Sequence, residues 1–76
     1  MTTTELAQIL FSSPLQPSQA LSASEIRRAV ENHSCDLSRC AALVAQEAGD
    51  HPESYAARMR WALTAVERAF APALAA

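Results

Sequence analysis

Four side chains in the middle of the sequence have the chemistry to bind a soft metal ion: His33, Cys35, Cys40 and His51. Two thiolates and two imidazoles can close a tetrahedral zinc site. The spacing does not favour one, because no pair of ligands is separated by two or three residues as in C-x2-C or H-x3-H. Cys40 and His51 would also lie about 15 Å apart along a helix that rises 1.5 Å per residue. We therefore expect no metal and no cofactor, with Cys40 packed as a small apolar residue.

The two cysteines leave a second interpretation open, in which Cys35 in a loop reaches Cys40 in the next helical turn to form a disulfide. In a reducing compartment such a bond would be a redox feature rather than a structural one. The first ten residues, MTTTELAQIL, lack a basic region followed by an apolar one. We therefore expect no secretory signal, a cytoplasmic location and reduced thiols. We also expect no membrane contact, since no run approaches the roughly eighteen apolar residues of a membrane span.

The residue pattern does not favour catalysis. No nucleophile has a histidine and an acid at a meaningful spacing, and no pair of carboxylates is predicted to share a cleft. The single glycine in the chain excludes a glycine-rich phosphate loop. We expect no catalytic residues, and the protein is predicted not to be an enzyme.

One segment, VAQEAGDHPESYAARM from Val44 to Met59, suggests DNA binding. It resembles the helix-turn-helix of lactose-repressor-type regulators. The matching positions of the first helix and its turn are Ala45, Ala48 and Gly49, and those of the recognition helix are Pro52, Ser54 and Tyr55. The resemblance implies a regulator that binds DNA through its second helix, and it covers less than a quarter of the chain.

The same segment departs from the helix-turn-helix pattern at two positions. The residue after the turn glycine is usually apolar, and here it is Asp50; a later buried position holds Arg58. Arg58, Arg60 and Arg68 could meet phosphates, but a formal net charge of −2 gives the chain no general attraction to nucleic acid. A DNA-binding regulator is therefore the alternative function, and nucleic acid is not the expected partner.

The strongest candidate for an interaction surface surrounds the only tryptophan, Trp61. At about 100° per residue, Trp61 points away from the apolar face of its predicted helix. It lies with the two alanines four residues before and after it, flanked by two arginines; this predicted surface consists of Trp61, Ala57, Ala65, Arg58 and Arg68. Tryptophan and arginine often dominate the binding energy of interfaces. Either the chain's own N-terminal segment covers the ring, with Leu15 above it, or a partner does.

The expected function is therefore that of a small, non-enzymatic helical module for protein–protein interaction or regulation. Its partner would be another protein or its own copy, so a homodimer is one outcome. Leu43 lies off the apolar face of its helix and is a second candidate for a contact surface.

Helical signals cover most of the chain and predict helices at about 4–12, 23–33, 37–48 and 51–71. Thr2 and Glu5, and more clearly Ser22 and Glu25, have capping-box spacing, with Thr4 an equal candidate for the first cap. Either Ser34 or Asp36 is expected to cap the third helix. The fourth is expected to begin at an Asp50 cap after Gly49 as a C-terminal glycine, and to end at Pro72.

These signals predict an all-α domain spanning residues 1–76, either a small four-helix bundle or an orthogonal array, with a long C-terminal helix. No alternating pattern or hairpin turn competes with the helices. The apolar face of the last helix is predicted to contain Tyr55, Met59, Ala62, Leu63, Val66 and Phe70. The seventeen alanines and the use of arginine without lysine indicate a GC-rich, bacterial codon bias. A core so rich in alanine is small, and dimerisation would stabilise it.

Overall fold

The structure is a computed structural model that describes residues 1–33 and 36–74, with no side chains described beyond Ala71. It contains four helices, α1 (Thr3–Ser12), α2 (Ala23–Asn32), α3 (Leu37–Asp50) and α4 (Pro52–Leu74). No strand occurs in the described part of the chain. The predicted all-α class, with a long C-terminal helix, is confirmed.

The first three helices begin where their capping residues predict. Thr2 accepts a hydrogen bond from the Glu5 backbone N–H at 3.1 Å, and Glu5 Oε1 accepts one from the Thr2 N–H at 2.9 Å. Ser22 and Glu25 form the same reciprocal pair at the start of α2. Asp36 caps α3 by accepting from the Arg39 N–H at 2.8 Å. Each cap satisfies a backbone donor that has no partner within the helix.

The predicted junction between α3 and α4 is wrong. Gly49 has a negative φ and lies within α3, and Asp50 is the last residue of that helix rather than the cap of the next. The connection is His51 alone, whose N–H bonds to the Glu47 oxygen and whose oxygen accepts from the Tyr55 N–H, both at 2.8 Å. Ordinary helical φ values keep Gly49 in α3, so the chain uses no left-handed C-terminal cap here.

The predicted end of the last helix at Pro72 is also wrong, because α4 continues to Leu74. A proline removes one backbone donor, here the partner expected for the Arg68 oxygen. The last four carbonyls of any helix already lack intrahelical partners. Because Pro72 lies two residues before the helix end, it removes only one further hydrogen bond, and the helix continues past it.

The packing is organised around two helices, α1 and α4. These two make the most extensive contact in the fold, α3 packs against both, and α2 packs mainly against α4. Within the described residues, no Cα atom of α2 lies within 8 Å of a Cα atom of α3. Fully buried alanines on both central helices, Ala7 in α1 and Ala62 in α4, allow their backbones to approach closely. The two flanking helices therefore depend on the α1–α4 pair for their position.

The core is formed by the apolar faces of all four helices. Its buried side chains are Leu6, Ala7, Ile9, Leu10, Phe11, Ile26, Val30, Cys40, Val44, Ala62, Val66 and Ala69. On α4 the most deeply buried residues are Ala62, Val66 and Ala69, so the buried face is rotated towards Ala69 from the predicted one. Small side chains lie at its centre because the neighbouring helices approach most closely there. The large predicted residues Tyr55, Met59, Leu63 and Phe70 lie at its edge, partly buried.

Among the described residues, no helix is both long enough and apolar enough to span a membrane.

Candidate functional site

A groove lies between α2 and α4 on the described surface, and we call it the α2–α4 groove. Its volume is about 700 Å³. It is lined by residues of α4 on one side and by α2 and the chain before it on the other: Ala57, Arg60, Trp61, Thr64, Ala65, Arg68 and Ala69, opposite Gln19, Ala20, Leu21, Ala23 and Ile26. This volume can accept several large side chains of a partner.

The floor of the α2–α4 groove is apolar and its edge is basic. Ile26 and Ala69 are buried at the base, and Leu21, Trp61 and Ala65 are partly buried above them. The polar lining residues are Gln19, Arg60, Thr64 and Arg68, all of them exposed, and no carboxylate is among the lining residues. An apolar floor with a polar rim is the usual anatomy of a protein-binding surface.

Arg27 fixes α2 beside α4. Its Nη1 donates to the Ala69 backbone oxygen at 2.8 Å, across 42 residues of sequence. Ile26, the neighbouring residue, is buried in the core. This hydrogen bond and the buried Ile26 help to hold α2 against α4, the two helices that form the groove.

A second arrangement, which we call the Arg58 cluster, lies one turn before Trp61 on α4. The Arg58 guanidinium donates three hydrogen bonds to backbone oxygens: Nε to Phe11 at 3.0 Å, and Nη2 to Ser13 and to Leu15, each at 2.9 Å. The Phe11 oxygen is one of the last four of α1 and has no partner within the helix. Arg58 therefore caps α1 from a residue far away in the sequence.

The Arg58 cluster also places a cation against two aromatic rings. The guanidinium carbon lies 5.4 Å from the centroid of Phe11 and 5.0 Å from that of Trp61, within the range of cation–π attraction. Partial burial lowers the pKa of Arg58, because the charged group loses hydration. The last turn of α1 contains no basic residue of its own, so Arg58 supplies the positive charge that this negative helix end favours.

The structure brings four of the five residues of the predicted surface to one place. Trp61, Ala57, Ala65 and Arg68 all line the α2–α4 groove. Arg58 does not, since its guanidinium is bonded to the end of α1 and the following loop. Trp61 is neither sealed in the core nor free: it is partly buried and packs against the core.

The opposite wall of the groove and Arg60 were missing from the predicted surface. The signal for the wall was present in the sequence, because Leu21 and Ile26 have the spacing of a hydrophobic staple around the Ser22 cap. That spacing predicts where the chain enters α2, but not that α2 packs beside Trp61. The sequence pattern suggests Arg60 only as a phosphate contact, whereas the structure places it at the groove.

Leu43, the second predicted contact residue, is exposed, with 45 % of its surface accessible. It borders a smaller depression of about 320 Å³, together with Tyr55, Arg58 and the end of α1. The rings of Tyr55 and Phe11 meet there at 5.9 Å between centroids and 53° between planes. The volume of this depression is less than half that of the α2–α4 groove.

The candidate metal ligands can be described only in part, because Cys35 lies outside the described residues. The described residues contain no group of three or more histidine, cysteine or acidic side chains placed to hold a metal ion. Cys40 is fully buried, as predicted for a small apolar residue, and it is disulfide-bonded. The expectation of a reduced thiol therefore does not hold for Cys40.

The helix-turn-helix resemblance predicts a turn around Gly49, and the structure has none there. A helix-turn-helix uses a turn of three or four residues, whereas His51 alone joins α3 to α4. Of the three arginines considered for phosphate contacts, Arg58 is bonded to the chain's own backbone, and Arg60 and Arg68 lie at the groove. The segment therefore lacks the geometry of a helix-turn-helix, and DNA binding stays a prediction.

A comparison of the chain with protein-family models, with curated proteins and with solved structures gave no significant match. The function is therefore argued from the geometry of the α2–α4 groove alone.

Proposed function

We propose that this chain is a small helical interaction module that binds another protein, or its own copy, through the α2–α4 groove. The observation that supports the proposal is a groove of about 700 Å³ with an apolar floor, a basic rim and a partly exposed tryptophan in its wall. Trp61 and the rim arginines belong to the residue types that most often dominate interface energies. The proposal assigns no catalytic role to any residue.

The experiment places a photo-crosslinking residue at the rim and blocks the groove separately. Thr64 is exposed and lines the groove, so Thr64→p-benzoylphenylalanine positions the reactive ketone there. Ala57→Trp then fills the groove from its exposed end, while Ala56→Trp adds the same ring at an exposed position outside it. Neither alanine is in the core, so both variants are expected to retain the wild-type urea midpoint.

We expect an adduct from position 64 in cells that express the protein. The yield of adduct should be unchanged in Ala56→Trp. It should fall at least about tenfold in Ala57→Trp, because the added ring occupies the space in which the partner binds. The adduct's mass shows whether the partner is a second copy or another protein. Absence of an adduct, or an adduct indifferent to Ala57→Trp, would refute binding through this groove.

A further inference from the structure

We propose, on the basis of the function proposed above, that the occupant of the α2–α4 groove is an amphipathic helix of another protein whose apolar face is flanked by acidic side chains. Three properties of the groove support this: its shape favours a helix, its charge favours acidic flanks, and the chain's own surface does not offer a matching helix.

The shape of the groove favours a helix over an extended segment. The lining residues of α4 run from Ala57 to Ala69, about 18 Å at 1.5 Å per residue, which matches three turns of a partner helix. A helix satisfies its own backbone hydrogen bonds, whereas an extended segment would need a sheet edge to pair with. The described residues contain no strand that could provide one. The small side chains of Ala57 and Ala65, one on each side of Trp61, leave room beside the ring for large apolar side chains.

The charge of the rim favours acidic flanks. Arg60 and Arg68 are both exposed, and they lie eight residues apart on α4, about 12 Å. On a partner helix that lies parallel or antiparallel to α4, two carboxylates seven or eight residues apart would be separated by nearly the same distance as these two arginines. The chain as a whole is acidic, with a formal net charge of −2, so a basic rim without a lining carboxylate is a local exception. Such complementarity mainly raises specificity and the association rate.

A second copy of the chain does not offer such a helix. Among the described residues, the only exposed large apolar side chains are Met1 and Leu43. The apolar faces of α1, α2 and α3 are packed into the chain's own core. Leu43 alone would supply one apolar anchor for a groove three helical turns long. The better-matched occupant is therefore a helix of a different protein.

The test uses two synthetic helical peptides of fourteen residues that share one leucine face and differ only in its flanks, glutamate in one and lysine in the other. A third peptide has the composition of the acidic one in scrambled order. Trp61 is the only tryptophan of the protein, so its fluorescence reports occupation of the groove directly. The protein variants are the wild type and the double charge reversal Arg60→Glu with Arg68→Glu.

We expect the acidic peptide to bind the wild type at least about tenfold more tightly than the basic or scrambled peptide at low salt. The double charge reversal should invert this preference, and 0.5 M NaCl should largely remove it, because exposed charges are screened. The urea midpoint of the double variant, followed in parallel, shows that the inversion is not due to unfolding.

Three results would overturn the inference. The first is equal binding, or no binding, of the acidic and basic peptides; if the Thr64 adduct still forms and depends on Ala57, the proposed function stands and only the partner's chemistry is wrong. The second is a dimer in sedimentation that Ala57→Trp abolishes, which would make the occupant a second copy. The third is binding of a 20-base-pair DNA duplex that the charge reversal removes, which would indicate nucleic acid.

Discussion

Two parts of α4 contain the same residue types and use them in opposite ways. In the Arg58 cluster the arginine is partly buried, bonds to three carbonyls of its own chain and lies against two rings. At the α2–α4 groove, Arg60 and Arg68 are exposed and border an apolar floor. The difference comes from the neighbours: the end of α1 presents unpaired carbonyls to Arg58, whereas α2 presents apolar side chains to the groove. Arginine beside tryptophan is thus structural at one site and available for binding at the other.

Trp61 belongs to both parts. Its ring lies 5.0 Å from the Arg58 guanidinium carbon, and it also lines the groove. The Arg58 cluster therefore holds in place a side chain on which the groove depends. Substitutions along α4 can separate these two roles.

The largest expected effect is that of Arg58→Ala on stability. The change leaves the oxygens of Phe11, Ser13 and Leu15 without this donor and removes both ring contacts. We expect a loss of about 2–3 kcal/mol in the free energy of unfolding, measured by urea denaturation and circular dichroism. Since small domains have little stability to spare, part of the population should be unfolded at 37 °C.

Two matched variants sharpen this prediction. Arg58→Lys keeps the charge but cannot reproduce the planar fork, so it should lose about half as much stability. Arg68→Ala, on the same helix, should change stability by less than about 0.5 kcal/mol, because Arg68 is exposed. If Arg58→Ala and Arg68→Ala had equal effects, the distinction between the two parts of α4 would be lost.

The fold was predictable where the determining contacts are local. The Thr2–Glu5 and Ser22–Glu25 capping boxes connect residues three apart, so both can be predicted from the sequence alone. The predicted position of the α3–α4 junction was wrong, because Gly49 and Asp50 permit a helix end but do not require one. Pro72 likewise permits a helix end without requiring one, and α4 continues to Leu74.

The site was predictable only on the side that α4 itself provides. Spacing on one helix placed Trp61, Ala57 and Ala65 together, and they do share the groove. The role of Arg58 depends on carbonyls 43 to 47 residues away, which periodicity along one helix does not reveal. The second wall of the groove depends in the same way on where α2 packs.

The next largest effect is that of Trp61→Ala, which should affect both parts of α4. Truncating a partly buried ring and its cation–π contact should cost about 1–2 kcal/mol of stability while the domain remains folded. Binding through the groove should fall by at least about tenfold beyond what the unfolded fraction explains. Circular dichroism in urea measures the first effect, and crosslinking from Thr64 measures the second.

A double-mutant cycle tests whether Arg58 and Trp61 are coupled. Arg58→Ala, Trp61→Leu and the combination should give a coupling free energy of about 0.5–1 kcal/mol, the range for a cation–π pair. Arg68→Ala with Trp61→Leu is the control pair and should be additive. Coupling as large in the control pair would mean that the cycle reports general loosening of α4.

The smallest expected effect concerns the cap of α2, which forms the far wall of the groove. The Ser22 backbone N–H and hydroxyl bond to Glu25 and lower the pKa of its carboxyl, as Thr2 does for Glu5 in α1. A carboxyl whose folded pKa lies below its unfolded value stabilises the fold above the unfolded pKa, and this contribution disappears as the pH falls through the folded pKa. Ser22→Ala removes the hydroxyl but keeps the backbone N–H, so it should raise the pKa of Glu25 only part of the way to its ordinary value. The pKa of Glu5 should not change, and the domain should lose slightly less stability as the pH falls. Carboxyl titration by NMR measures the pKa values of both residues in one experiment. Glu5 is the internal control, because it belongs to the capping box of α1, which does not line the groove. An equal shift in the pKa of Glu5 would mean that the two caps are not independent.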